Sequence, residues 1–126
     1  MGIDNLLGRS RAGLARLTPL AAQEAVRAGG AVIVDTRPIG QRRAQGVVPG
    51  AVVVCRNVLE WRADGTSGVA DDRLVGKDLI VMCAEGYSSS LAAATLQQIG
   101  LASATDMIGG FEAWRGAGLP VEPCPD

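Results

Sequence analysis

Histidine is absent from this chain. That excludes Cys–His and Ser–His catalytic pairs, in which an imidazole takes the nucleophile's proton. Cysteine is scarce too. Cys55, Cys83 and Cys124 lie far apart with no Cys-x-x-Cys, so a zinc site is not expected. A chain of 126 residues can bury a core without disulfide staples, and an odd, widely spaced set of thiols fits a reducing cytoplasm. Aromatic residues make up 3% of the sequence, which leaves the core to Val, Leu, Ile and Ala, the residues that let helices lie close on a sheet. The net charge of −1 provides no pull toward nucleic acid or anionic lipid. No apolar run is long enough to span a bilayer, and the first residues lack the basic-then-apolar order of a secretory signal.

Residues 79–91 provide the organising feature. Leu79, Ile80, Val81 and Met82 make a short buried strand, and Cys83 stands at its end. Gly86 allows a sharp turn. Ser88, Ser89 and Ser90 are expected to supply N-cap hydroxyls for an Ala-rich helix that runs to Ile99 and stops at Gly100. A thiol so placed sits at the carboxyl end of a strand and faces a helix N-terminus, where ligands of open α/β sheets bind. Unpaired N–H groups and the helix dipole favour an anion there, so Cys83 should ionise below the value of about 8.5 for free cysteine. A helix dipole contributes only about 0.3–1 kcal/mol at an exposed site. Loop amides or an arginine must add to it. Without histidine, a nucleophilic Cys83 has to be activated by electrostatics.

The flanking segments alternate between helix and strand. An N-terminal helical extension is expected over residues 1–16, packed on the body of the chain, which covers residues 17–126. Thr18 and Pro19 start the next helix. Strands are expected at residues 31–34, 51–55, 79–82 and 104–108. Helices are expected at 39–45, at 58–62 behind an Asn57 cap, and after Gly109-Gly110, where Phe111 and Trp114 face the core. This alternation predicts an α/β fold with a central parallel sheet of about five strands and helices on both faces. Cys55 reads as strand packing and Cys124 as a tail thiol.

Four pieces in this order resemble the rhodanese-like domain. They are Val34-Asp35-Thr36-Arg37, Gly46-Val47-Val48-Pro49-Gly50-Ala51, Cys83-Ala84-Glu85-Gly86-Tyr87-Ser88-Ser89, and the run from Gly109 through Phe111, Trp114 and Gly118 to Pro120. Together they span nearly all of residues 17–121. The resemblance implies a three-layer rhodanese-like fold and a sulfurtransferase that needs no cofactor and no metal. Its partners would be a small sulfur donor such as thiosulfate and a cyanide or thiol acceptor. Cys83 would carry the sulfur as a persulfide, cradled by Ala84, Glu85, Gly86, Tyr87, Ser88 and Ser89. Many members of that family have an arginine where Ser88 stands, and Glu85 adds a negative charge. Arg56, following a strand, and Arg37 are the candidates to hold an anionic donor instead, although Arg37 also reads as a structural partner of Asp35. Trp61 is a candidate pocket wall. Nothing in the pattern sets an oligomeric state.

Two other functions compete with this one. A phosphatase or arsenate reductase of related loop design would need an arginine at Ser89 to hold a tetrahedral dianion. A non-catalytic binding or redox-sensing module would use the fold without the chemistry.

Overall fold

The computed structural model describes residues 1–125. Four strands form one parallel sheet in the order β2-β1-β3-β4: β1 is Ala31–Asp35, β2 Val52–Val53, β3 Asp78–Met82 and β4 Thr105–Asp106. Among the described residues six α-helices surround it: α1 Ile3–Ala12, α2 Pro19–Ala28, α3 Ile39–Gln45, α4 Leu59–Ala63, α5 Ser88–Gln98 and α6 Gly110–Gly116.

Strand periodicity divides the core in two, because successive side chains point to opposite faces. Val34, Leu79 and Val81 point to one side, where Leu59 and Ala63 of α4 and Ala92, Ala93 and Leu96 of α5 cover them. Ile33, Ile80 and Met82 point to the other, under Ala22 of α2 and Phe111 and Trp114 of α6. The expected three layers are therefore present, with both faces of the sheet covered.

The sheet differs from expectation in extent. It has four strands rather than about five, and beyond β4 the pairing continues only as a single parallel bridge between Leu17 and Met107. Leu17 N–H donates to the Asp106 carbonyl, and Ile108 N–H donates to the Leu17 carbonyl. Two residues later Pro19, which has no N–H and has its φ locked, begins α2 under a Thr18 hydroxyl that accepts from Ala21 N–H. The chain enters the helix before the strand can lengthen. The strands anticipated at residues 51–55 and 104–108 contract to two residues each for a similar reason, since turns begin on either side. Cys55 falls outside β2 and is exposed rather than packed. Asn57 does not cap α4. It lies in a 3-10 turn, Arg56–Val58, that leads into the helix.

Helix α1 packs along α5. Among the described residues no helix is long and apolar enough to cross a membrane.

Gly110 sets the distance between α6 and the end of β3. Its φ is +59°, and an added Cβ would run into the Cys83 carbonyl and come within 2.9 Å of the Ala84 carbonyl group. That contact is with backbone and cannot move aside cheaply. Gly110→Ala is therefore expected to cost about 1–3 kcal/mol of stability, read as a lower midpoint of urea unfolding.

Candidate active site

Cys83 follows the last residue of β3, and the chain from Cys83 to Tyr87 curls over the sheet's carboxyl edge before α5 begins. The loop is built by disposing of its carbonyls. Phe111 N–H donates to the Cys83 carbonyl at 2.8 Å, and Glu112 N–H donates to the Ala84 carbonyl at 3.0 Å. Both donors belong to the first turn of α6, whose N–H groups have no partners inside their own helix. The Gly86 carbonyl accepts from Arg11 Nη2 at 2.7 Å and from Arg16 Nη2 at 3.0 Å. With these oxygens engaged outside the loop, amides are left facing inward, and Gly86 N–H donates to Cys83 Sγ at 3.2 Å. Gly86 itself has φ +87°, and an added Cβ would lie 2.7 Å from Gly109 N. Only glycine fits this close approach.

The thiol is buried, and burial pushes its pKa up by disfavouring the anion. The Ser89 and Ser88 hydroxyls and the Ser89 and Gly86 amides oppose this and leave the net shift downward. Ser89 has one hydroxyl proton and two acceptors for it, because its Oγ lies 2.7 Å from Asp106 Oδ2. Gly86 N–H, by contrast, is committed to the sulfur.

Asp106 is fully buried at the base of the loop. It accepts from Ser89 Oγ, from Ser90 Oγ at 2.8 Å and from Arg16 Nε at 2.9 Å. The serine hydroxyls therefore do not cap α5 as expected. The helix begins at Ser88, which puts all three serines inside its first turn, and a buried carboxylate is the stronger acceptor for the two that face inward.

A hollow of about 270 Å³ opens above Cys83, lined by Thr36, Arg37, Pro38, Gln41, Ala84, Glu85, Tyr87 and Ser88. Ala84, Glu85, Tyr87 and Ser88 line this hollow with the thiol, whereas Gly86 and Ser89 are buried and do not. Arg37 reaches the hollow but is committed elsewhere. It is 3% exposed, it forks onto Asp35 at 3.0 and 2.7 Å, it donates to Gln45 and to the Gly46 carbonyl, and it lies 3.9 Å over the Phe111 ring. Arg56 lines an adjoining hollow beyond Thr36, Arg37 and Pro38, where its guanidinium meets Glu60 at 2.8 Å. Trp61 stands in a separate depression with Glu60, Asp64 and Ile99. Neither lines the hollow over Cys83. Among the described residues no group of His, Cys, Asp or Glu has the arrangement of a metal site.

Sequence reasoning missed Asp106, Arg11 and Arg16. A carboxylate within an apolar strand was the available signal for Asp106, since unpaired buried acids are rare. The arginines lie 70 and more residues away in the chain and gave none.

Residues 18–117 match the family model of the rhodanese-like domain. The chain belongs to the rhodanese-like domain family. Over 44 residues it is 48% identical to the thiosulfate sulfurtransferase GlpE of Actinobacillus succinogenes, a match that covers 35% of this chain and 40% of that protein. This chain thus aligns with less than half of that relative. A solved structure from Rhodopseudomonas palustris, of a protein of unknown function described as a possible tyrosine phosphatase, superposes with a TM-score of 0.87 at 34% identity. That likeness covers 97% of this chain and 95% of the other. A thiosulfate sulfurtransferase from Pseudomonas aeruginosa shares the fold, with a TM-score of 0.69 at 24% identity over 86% of this chain and 19% of its own. The rhodanese-like fold of residues 18–117 is thus shown by family as well as by structure.

Alkylation of Cys83 by iodoacetamide is expected to be half-maximal at a lower pH than that of a cysteine in an unstructured peptide. Ser88→Ala removes a hydroxyl without touching Asp106. It should raise that midpoint and lower the reaction rate at neutral pH, with Cys83 resolved by peptide mass.

Proposed function

We propose that this chain is a sulfurtransferase in which Cys83 carries sulfane sulfur as a persulfide. The observation that supports this reading most is the buried thiol with amide and hydroxyl donors turned upon it in a chain that has no histidine. Such a frame stabilises an anion on sulfur without a general base.

With thiosulfate as donor, the Cys83 thiolate attacks the outer sulfur. A new S–S bond forms, the old one breaks, and sulfite leaves with the electron pair. The persulfide's terminal sulfur lies about 2 Å beyond Sγ, inside the hollow. Cyanide or a thiolate then attacks that sulfur, forms thiocyanate or a new persulfide, and returns Cys83 as thiolate. No net oxidation or reduction of the protein occurs.

The small hollow suits a small donor, and its charge bears on which one. Among the described residues Arg37 is the only cation in its lining, and Asp35 already neutralises it. Glu85 is exposed at the rim. A dianion is therefore received less well than a donor of low charge, such as an organic persulfide.

A phosphatase reading is raised by the name of the Rhodopseudomonas palustris structure. Ser89, which occupies the position where a dianion-binding arginine would be needed, is buried and donates to Asp106. Hydrolysis of a phenyl phosphate would favour that reading over sulfur transfer.

Intact mass after incubation with thiosulfate, and separately with an organic persulfide, is the direct test. The protein should gain one sulfur atom and lose it to cyanide, and Cys83→Ser should gain none. Absence of the gain with both donors points instead to a binding module. Glu85→Gln should lower KM for thiosulfate roughly threefold and leave KM for an uncharged donor unchanged.

A further inference from the structure

The segment ahead of α2 reaches the loop from its outer side. Arg11, at the end of α1, donates to the Gly86 carbonyl and, through Nε, to Ser90 Oγ at 3.0 Å; its guanidinium lies 5.6 Å from the centre of the Tyr87 ring. Arg16, on the connection to α2, donates to the same carbonyl and forks onto Asp106 at 2.9 and 3.2 Å. Ser90 closes the circuit by donating its hydroxyl to Asp106. Neither arginine lines the hollow over Cys83.

Two guanidinium groups on one carbonyl oxygen repel each other. Asp106 offsets one of the two charges. Among the described residues the other has no carboxylate partner, because Arg11 contacts a hydroxyl, a carbonyl and a ring. The remaining charged or titratable groups around the loop do not balance it from within. Arg37 is paired with Asp35, Glu112 of α6 with Arg115, and Glu85 and Tyr87 face solvent at the rim. An anion at Cys83 is what this frame lacks.

We propose that Arg11 and Arg16 are positioning residues of this site. They anchor Gly86 by its carbonyl and so hold in place the residue whose own N–H donates to sulfur, and they supply from outside the loop the positive charge that no loop residue provides. The proposal rests on Cys83 being the sulfur-carrying thiol. The clamp is built largely from residues ahead of the matched domain, which begins at residue 18. Its geometry is not that of a surface salt bridge. Both arginines are partly buried, and the oxygen they share belongs to the residue whose N–H touches Sγ.

Arg11 is the decisive position, because Asp106 keeps Arg16 and both serines when it is changed. Arg11→Met retains the packing stem without donors or charge, and Arg11→Lys retains the charge with a single-point donor. The readout is the pH profile of Cys83 alkylation in the full chain, resolved by peptide mass, with thermal melting beside it. Arg11→Met should move the alkylation midpoint up by about one pH unit, a tenfold loss of thiolate at neutral pH, and Arg11→Lys should recover part of it. Sulfur loading at neutral pH should slow in parallel. A merely structural role would lower the melting temperature of both variants and leave the midpoint in place. An unchanged midpoint in Arg11→Met overturns the proposal. Alkylation requires no sulfur donor, so a wild-type protein that accepts no sulfur would defeat the persulfide reading and still report on the clamp.

Discussion

Everything at this site depends on which way the peptide groups of residues 83–87 face. A loop that stabilises an anion must turn its N–H groups inward, and that requires somewhere for its carbonyls to go. Here the oxygens of Cys83 and Ala84 are taken by the first turn of α6, and that of Gly86 by two arginines. Three elements distant in sequence thus cooperate to satisfy groups that would otherwise compete for the same space. The glycines follow from this. Gly86 must pass against Gly109, and Gly110 must let α6 approach the strand end, so neither position has room for a Cβ. The thiol is activated less by any one donor than by this enforced orientation.

The electrostatic design follows the same logic. A histidine base would bring a proton acceptor that titrates near neutrality. Fixed dipoles and guanidinium groups do not titrate in that range, so they bias the sulfur toward its anion at any working pH. Arg37 and Asp35, though close to the hollow, belong to a different task. They form a buried pair that fastens the end of β1 to the Gly46 turn and to Phe111.

Local pattern was enough to read the layers, the helix that starts at Thr18-Pro19, the buried Phe111 and Trp114, and the loop centred on Cys83. These features rest on periodicity and turn chemistry, which act over a few residues. Strand lengths were less legible, because the length of a parallel strand is set by its neighbours. The serine triplet was misread as a cap, since its hydroxyls prefer a carboxylate that pattern alone did not bring near. Arg56 follows the end of a strand, but the short helix after it supplies Glu60 four residues on, and the pair turns aside. Trp61 shares that fate, one residue further along the same short helix. The family match at residues 18–117 accounts for the frame, whereas the arginines from ahead of it are visible only once the chain is folded.

The Leu17–Met107 bridge has a bearing on how the molecule behaves in a crowd. A parallel sheet with an open edge is a template on which another chain can add a strand. Here one border strand, β2, is two residues long, and the other, β4, is equally short and is roofed by Leu17 before the proline of α2 ends any further pairing. The connection that carries Arg16 to Asp106 therefore also blunts the sheet's border against templated self-association, and a chain that loosened at this point would uncover an adhesive margin at the same moment as it released the loop.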